Sequence, residues 1–337
     1  MSKIHLLSPN ERQIFMAEAE AALGIPFSII EKDFWVVWTL ERLFSLDELK
    51  THLTFKGGTS LSKVFGIIDR FSEDIDVSIE KDFLGFNKDN DPEKAESKKK
   101  QRAAIEALSS SCSIYVQNKM LSDLKKNIAA CLGTEDGWQL FVDPKDPDGQ
   151  TLQFEYPNIT PRSGYIQQSV KIEMGARSEH WPVSEHKIQS YVKEALKDKV
   201  TEAAVYVRVL DAERTFWEKA TILHQYAHLP DDKSLPPRIS RHFYDFFRLL
   251  ISPVKDKALL DLSLLERVAI HKSIYFASGW ANYGTASKGT LKLLPIARVL
   301  DELEKDYDLM APMFFRDQPD WRLILKTIEE FERMFNA

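Results

Sequence analysis

The stretch FKGGTSLSKVFGIIDRFSEDIDVSI, residues 55 to 79, restricts the fold of this chain more than any other. A short strand signal, Leu53-Thr54-Phe55, breaks at Gly57-Gly58 and gives way to helical patterning from Thr59 to Phe65, ahead of Gly66. A strand, a glycine turn and a helix in that order let backbone amides approach an anion at the helix N-terminus. Beyond it, Ile75, Val77 and Ile79 alternate with Asp74, Asp76 and Ser78, the period of a strand with one apolar and one polar face. Asp74 and Asp76 therefore share a face, with Cα atoms roughly 6 to 7 Å apart. Hard oxygen donors at that separation suit the magnesium ions used to transfer phosphoryl or nucleotidyl groups. By spacing alone, the same pattern equally describes an edge strand whose acids discourage aggregation.

Other segments supply partners for that strand. In SVKIEMGAR, Val170, Ile172 and Met174 alternate with Lys171 and Glu173, so Glu173 is a candidate third carboxylate on a neighbouring strand, or an ordinary exposed glutamate. Asp211 reads as the N-cap of a helix carrying Arg214, Glu218 and Lys219 among Phe216, Trp217, Ile222 and Leu223. Lys219 there is a candidate point charge for a triphosphate, against the blander reading of a snorkelling surface lysine. Arg238, Arg241 and Asp245 stand three and four apart and are expected on one helical face, as a site or as a salt-bridge network. His224 and His228 have helical metal-ligand spacing, but no HExxH and no cysteine ligand accompany them, so a zinc site is rejected. In the tail, Lys272, Lys288 and Lys292 interleave with Tyr275, Phe276, Trp280 and Tyr283, a composition that suits either base stacking or an aromatic core.

Two helices are expected ahead of the first strand, one capped by Ser8-Pro9-Asn10-Glu11 and running to Gly24, the other opening on a box of Ser28 and Glu31. A polar run from Asp82 to Arg102 leads into helix beyond Pro92 and on to Cys131, and DPKDPDGQ joins Trp138–Val142 and Thr151–Tyr156 as a hairpin. Strand is expected over Tyr165–Met174 and Ala203–Leu210, and only helix after Asp211, which puts a domain boundary near residue 200. With 337 residues, 44% of them hydrophobic, the chain can bury the core of about two domains. It carries no apolar run of about 18 residues and no signal-peptide core, so a cytoplasmic protein without membrane contact is expected. Cys112 and Cys131 are too few for a thiolate zinc cage and read as packing residues. A formal net charge of −6 argues against a general nucleic-acid coat and confines any such contact to a local patch. No GxxxxGK[ST], GxGxxG or GxSxG occurs, which removes the P-loop, dinucleotide and esterase readings.

Taken in order, EKDFWVVWTLERLF from Glu31, FKGGTSLSK, RFSEDIDVSI, VKIEMGAR, ERTFWEKATILH, RHFYDFFRL and LEKDYDLMAPMFF resemble the AbiEii/AbiGii toxin family of the polymerase-beta-like nucleotidyltransferase superfamily. The resemblance implies an α+β, bilobed protein: a nucleotidyltransferase lobe with a mixed sheet over residues 1 to 200, and a helical C-terminal lobe over 201 to 337. It implies that Gly57, Gly58 and Thr59 or Ser60 hold phosphate, that Asp74 and Asp76 bind Mg2+, and that Lys219 and Asp245 complete the site. With Glu173 completing the ion's shell or acting as base, and Arg241 beside Lys219 on the triphosphate, an acceptor hydroxyl would attack the α-phosphate of an NTP and release pyrophosphate. His242 stands where an aspartate often follows the arginine in the family. Ser72, two residues before Asp74, is a candidate for self-modification. The implied partners are an NTP, an RNA acceptor, tRNA foremost, and an antitoxin encoded alongside. Transfer to a protein or small molecule, and a non-catalytic NTP-binding module, are the alternative functions.

Overall fold

The computed structural model describes residues 3–159, 167–202, 204–316 and 318–337. Its close-packed contacts divide the chain into two units, Met1–Val64 with Phe71–Val209, and Phe65–Arg70 with Leu210–Ala337.

The first unit is built on a seven-stranded mixed sheet. In chain order, α1 (Pro9–Leu23) and α2 (Phe27–Phe44) precede β1 (Leu53–Lys56), α3 (Gly57–Lys63) and β2 (Ile75–Ile79). Then come α4 (Lys98–Tyr115), a π-helical segment (Val116–Met120) and α5 (Leu121–Leu132), the hairpin β3 (Gln139–Val142) and β4 (Thr151–Glu155), β5 (Val170–Gly175), β6 (Val183–Ile188), α6 (Tyr191–Ala195) and β7 (Val205–Leu210). The spatial order is β3-β4-β5-β2-β1-β7-β6. β2 runs antiparallel to β1 and parallel to β5, and β1 runs parallel to β7. Leu53, Phe55, Ile75, Val77, Ile79, Leu152, Phe154, Val170 and Ile172 form the buried face of the sheet. Against it lies α2, with Trp38 stacked on Phe154 at 5.7 Å and Trp35 on Tyr156 at 5.4 Å between ring centroids.

Local chemistry explains most of the element ends. The Ser8 hydroxyl accepts from Glu11 N while Glu11 accepts from Ser8 N, and Gly24 takes the left-handed conformation that closes α1. The second capping box does not form. α2 begins at Phe27 with no side-chain cap, because Glu31 is buried and accepts instead from Ile159 N at 2.7 Å. α3 starts at Gly57 rather than Thr59, and β6 has no counterpart among the sequence expectations. Gly164, Tyr165 and Ala203, at the starts of two expected strands, lie outside the described residues. Cys112 is buried, which pushes its thiol up to about 12.

Among its described residues the second unit has no named strand. It comprises α7 (Ala212–Tyr226), α8 (Ser240–Leu250), α9 (Val254–Leu260), α10 (Ser263–Tyr275), α11 (Leu300–Asp308) and α12 (Trp321–Asn336). Its core is aromatic: Phe216 meets Trp217 at 4.8 Å and Phe246 at 4.9 Å, and Phe331 stacks on Phe335 at 5.6 Å. Among the described residues no single helix is long and apolar enough to cross a membrane.

Trp35 is fully buried whereas Ile114 on α4 is 63% exposed. Trp35→Ala is expected to cost about 3–5 kcal/mol and Ile114→Ala less than about 0.5 kcal/mol in denaturant titrations of the whole chain. Equal costs would contradict the packing of α2 on the sheet.

Candidate active site

The polar face of the sheet is organised by register. Lys56 pairs with Asp76, Asp76 with Glu173, and Glu173 with Thr151, so these four residues form one row across β1, β2, β5 and β4. Side chains in one row of a sheet share a face, which brings the carboxylates of Asp76 and Glu173 side by side from strands about 100 residues apart in sequence. Asp74 stands at the entrance to β2, ahead of Ile75. Burial, with the negative charges of Glu73 and Glu173, raises its carboxyl above the usual carboxylate range, against the opposing pull of Lys32 and Lys171. Glu173 forms an ion pair with Lys171 on the same strand at 2.5 Å.

Gly57 has a reason of its own. Its φ is +82°, and a Cβ built there would fall 2.1 Å from Asp76 Oδ2. Only glycine both adopts that backbone and leaves room for the carboxylate. The next two hydroxyls are used by the fold: Thr59, fully buried, donates to the main-chain oxygen of Asp74 and lies 2.9 Å from Ser72 Oγ, and Ser60 donates to Gly57 O at 2.9 Å. Thr59 therefore pins the segment that enters β2.

The donor set of this face, three carboxylates of which Asp74 is raised by burial and by its acidic neighbours, fits a hard divalent cation in kind. Among the described residues, no group of three or more His, Cys, Asp or Glu is arranged to hold a metal ion, and Glu173 is engaged by Lys171.

The remaining candidates lie in the second unit. Asp245 on α8 is fully buried and accepts from Arg70 through two bonds, Nε to Oδ1 at 2.8 Å and a terminal nitrogen to Oδ2 at 2.9 Å. Lys219 on α7 donates to Asp245 Oδ2 at 2.8 Å, and its Nζ lies 3.0 Å from His242 Nδ1. Two cations around the acid hold Asp245 far below the usual carboxylate range despite its burial. His242 is held neutral by burial and by the charges of Lys219 and Arg241; its Nδ1 faces an ammonium, which assigns the ring proton to Nε2. Lys219 is pulled below the ordinary lysine range by burial, with Asp245 opposing. Arg241 is half-buried and has no hydrogen-bond or ion-pair partner among the described residues. Arg238 is not on the expected helical face: it precedes α8 with φ +65°, and its backbone N donates to Asp306 at 2.7 Å.

Arg70 is a residue that sequence reasoning missed. It stands in the quoted RFSEDIDVSI, yet its partner is 175 positions away. His224 serves the fold: its Nε2 lies 3.0 Å from Asn282 O and its Nδ1 accepts from Lys292 N at 3.0 Å, so both of its ring nitrogens are occupied, while His228 Nδ1 lies 2.8 Å from His224 O. Of the tail aromatics, Tyr275 and Tyr283 are buried, Trp280 packs 6.0 Å from Tyr226, and Phe276 is 41% exposed. That pattern follows the core reading more than a stacking platform.

Asp245→Asn leaves two buried cations facing a neutral amide and is expected to cost about 3–5 kcal/mol of stability at pH 7. The Asp245 carboxyl is depressed in the fold, so its contribution is present above the unfolded carboxylate range near pH 4 and is lost as pH falls further. Denaturant titrations of both proteins from pH 7 to pH 3 should show a gap that is constant down to about pH 4 and narrows below it. A gap that widens in acid would contradict the pairing.

The family model described as nucleotidyl transferase AbiEii toxin, type IV toxin–antitoxin system, matches residues 38–337. No curated protein matches the chain. Among solved structures, the chain is similar to MenT4, a nucleotidyltransferase toxin of Mycobacterium tuberculosis, with 14% identity, 98% of this chain and 97% of that chain covered, and a TM-score of 0.46. It is also similar to JHP933 of Helicobacter pylori, with 14% identity, 92% and 97% of the two chains covered, and a TM-score of 0.34. Neither likeness bears on the assignment, which rests on the match to most of the sequence: this chain belongs to the AbiEii family of nucleotidyl transferase toxins.

Proposed function

We propose that the chain transfers a nucleotide from an NTP to an acceptor hydroxyl on RNA, with tRNA as the foremost acceptor, in a magnesium-dependent reaction that releases pyrophosphate. Family membership supplies the coarser part, a nucleotidyltransferase toxin with an NTP substrate and an antitoxin partner. The observation that carries the rest is the row that sets Asp76 beside Glu173, with Asp74 at the entrance to the same strand.

In this reading residues 1 to 200 form the nucleotidyltransferase lobe and 201 to 337 the helical lobe. Asp74 and Asp76 would hold magnesium, which when bound neutralises phosphate charge and polarises the reacting oxygens, with Glu173 either completing the ion's shell or serving as base. The acceptor hydroxyl attacks the α-phosphorus; an oxygen–phosphorus bond forms as the bond to the β-phosphate bridging oxygen breaks, and the hydroxyl proton leaves to a carboxylate, with Glu173 the candidate base. Gly57 and Gly58 present backbone to phosphate, while Thr59 and Ser60 shape that turn. Lys219 and Arg241 answer the charge of the triphosphate, and Asp245 orients Lys219 through their 2.8 Å ion pair. The chemistry asks little more of the protein than position and charge.

Purified protein incubated with each labelled NTP, magnesium and total cellular RNA, then resolved on a denaturing gel, tests the proposal. A labelled RNA band is expected, and Asp76→Asn is expected to weaken it by about 100-fold or more. Label on protein in place of RNA would move the acceptor to a polypeptide, and no label would leave nucleotide binding without transfer.

Gly57→Ala tests the local geometry. The added methyl meets Asp76 Oδ2 in a backbone that alanine disfavours, so transfer should fall at least about 10-fold while stability drops by about 1–3 kcal/mol. Wild-type transfer by this variant would show that Asp76 need not lie against the turn.

A further inference from the structure

Three consecutive charged residues near the start of α2, Glu31, Lys32 and Asp33, are all buried, none more than 2% exposed. They precede the residues 38–337 that the family model spans. Buried charges persist only where the fold answers them, and these three are answered from several separate parts of the first unit. Glu31 accepts from Ile159 N at 2.7 Å. Asp33 pairs with Lys63 at the end of α3 and accepts from Tyr191 N, both at 2.7 Å. Lys32 Nζ pairs with Glu73 at 3.1 Å, donates to Gln167 O at 2.7 Å and also donates to Ser169 O.

The Lys32 ammonium has three protons and three acceptors, so its donor capacity is filled. Glu73 immediately precedes Asp74, and Gln167 and Ser169 lead directly into β5, the strand of Glu173. One buried cation thus ties together the two chain segments that deliver carboxylates to the polar face. An apolar side chain would fill a helix interior without any desolvation cost, so packing does not account for a lysine here.

We propose that Lys32 is a positioning residue for nucleotide transfer: its ammonium clamps the Glu73–Asp74 turn to the Gln167–Ser169 lead-in of β5 and thereby sets Asp74 relative to Glu173. The role rests on the reading in which Asp74, Asp76 and Glu173 serve the transfer reaction. Lys32 itself touches neither nucleotide nor acceptor in this arrangement; it acts through the two segments it holds.

Lys32→Met removes the donors and strands the Glu73 carboxylate, so the informative protein is the double variant Lys32→Met, Glu73→Gln, which leaves no unpaired buried charge. In the full chain, amide hydrogen exchange should speed up over residues 72–76 and 168–174 and stay unchanged over β1, α4 and α7. The kcat for transfer should fall by about 10- to 100-fold with the KM for NTP within about three-fold, the split expected when reacting groups are misplaced and binding is not. A double variant with wild-type kcat, or with unaltered exchange in both segments, overturns the proposal. Wild-type protein that transfers nothing, or an Asp74→Asn variant that transfers normally, overturns the underlying function instead, and the exchange pattern then still decides whether Lys32 holds the two segments.

Discussion

Like charges gathered on and beside β2 and β5 are the constraint around which the first unit is arranged. Two unit charges 4 Å apart interact by about 4 kcal/mol at an effective dielectric constant of about 20, so Glu73, Asp74, Asp76 and Glu173 cannot be neighbours without compensation. Compensation arrives from both sides of the sheet plane: Lys171 lies along β5 beside Glu173, and Lys32 reaches Glu73 from the buried helix. The Asp74 carboxyl is still raised, chiefly by burial and then by Glu73 and Glu173. In the proposed reading a bound cation would add to the compensation that Lys171 and Lys32 provide.

The second unit meets the opposite problem. Arg70 and Lys219 converge on the single carboxylate of Asp245, with Arg241 close enough to depress His242. Two parallel bonds from a planar guanidinium fix the acid in orientation, and the fixed acid in turn fixes the flexible lysine. The surplus here is positive. An ammonium held by a buried acid and an imidazole has lost its rotamer freedom during folding, so under the proposed function it would meet an anionic group without ordering itself again.

What the sequence disclosed follows the range of the interactions involved. Alternation of Ile75, Val77 and Ile79 with polar residues is local, and so are the Ser8–Glu11 cap and the Gly24 stop; each is visible within a few residues and each formed. The expected box at Ser28 and Glu31 failed because a tertiary partner, Ile159 N, claimed the glutamate from 128 positions away. Arg238 left the helical face for the same kind of reason, since Asp306 captures its backbone and ends the spacing argument. Arg70, Lys32 and Glu73 were all written in motifs that stood out, yet nothing in their spacing named Asp245 or Gln167 as partners. Strand order is a similar case: that β2 lies between β1 and β5 is a matter of register across about 100 residues, and β6 at the sheet edge carries too weak an alternation to announce itself.

The glycine pair shows how a local signal can be read correctly in form and incompletely in cause. Glycine after a strand suggests a backbone that lets a phosphate come close, and the turn into α3 has the expected form. At Gly57, however, the group that comes close is part of the protein: Asp76, its neighbour across the β1–β2 ladder, occupies the space a side chain would take. The positive φ and the missing Cβ are therefore required before any ligand binds. A phosphate drawn to this turn would lie beside a carboxylate, a contact that repels unless a cation stands between them. In the function proposed above, a cation between the Asp76 carboxylate and a phosphate would let the glycine turn and the aspartate strand act together.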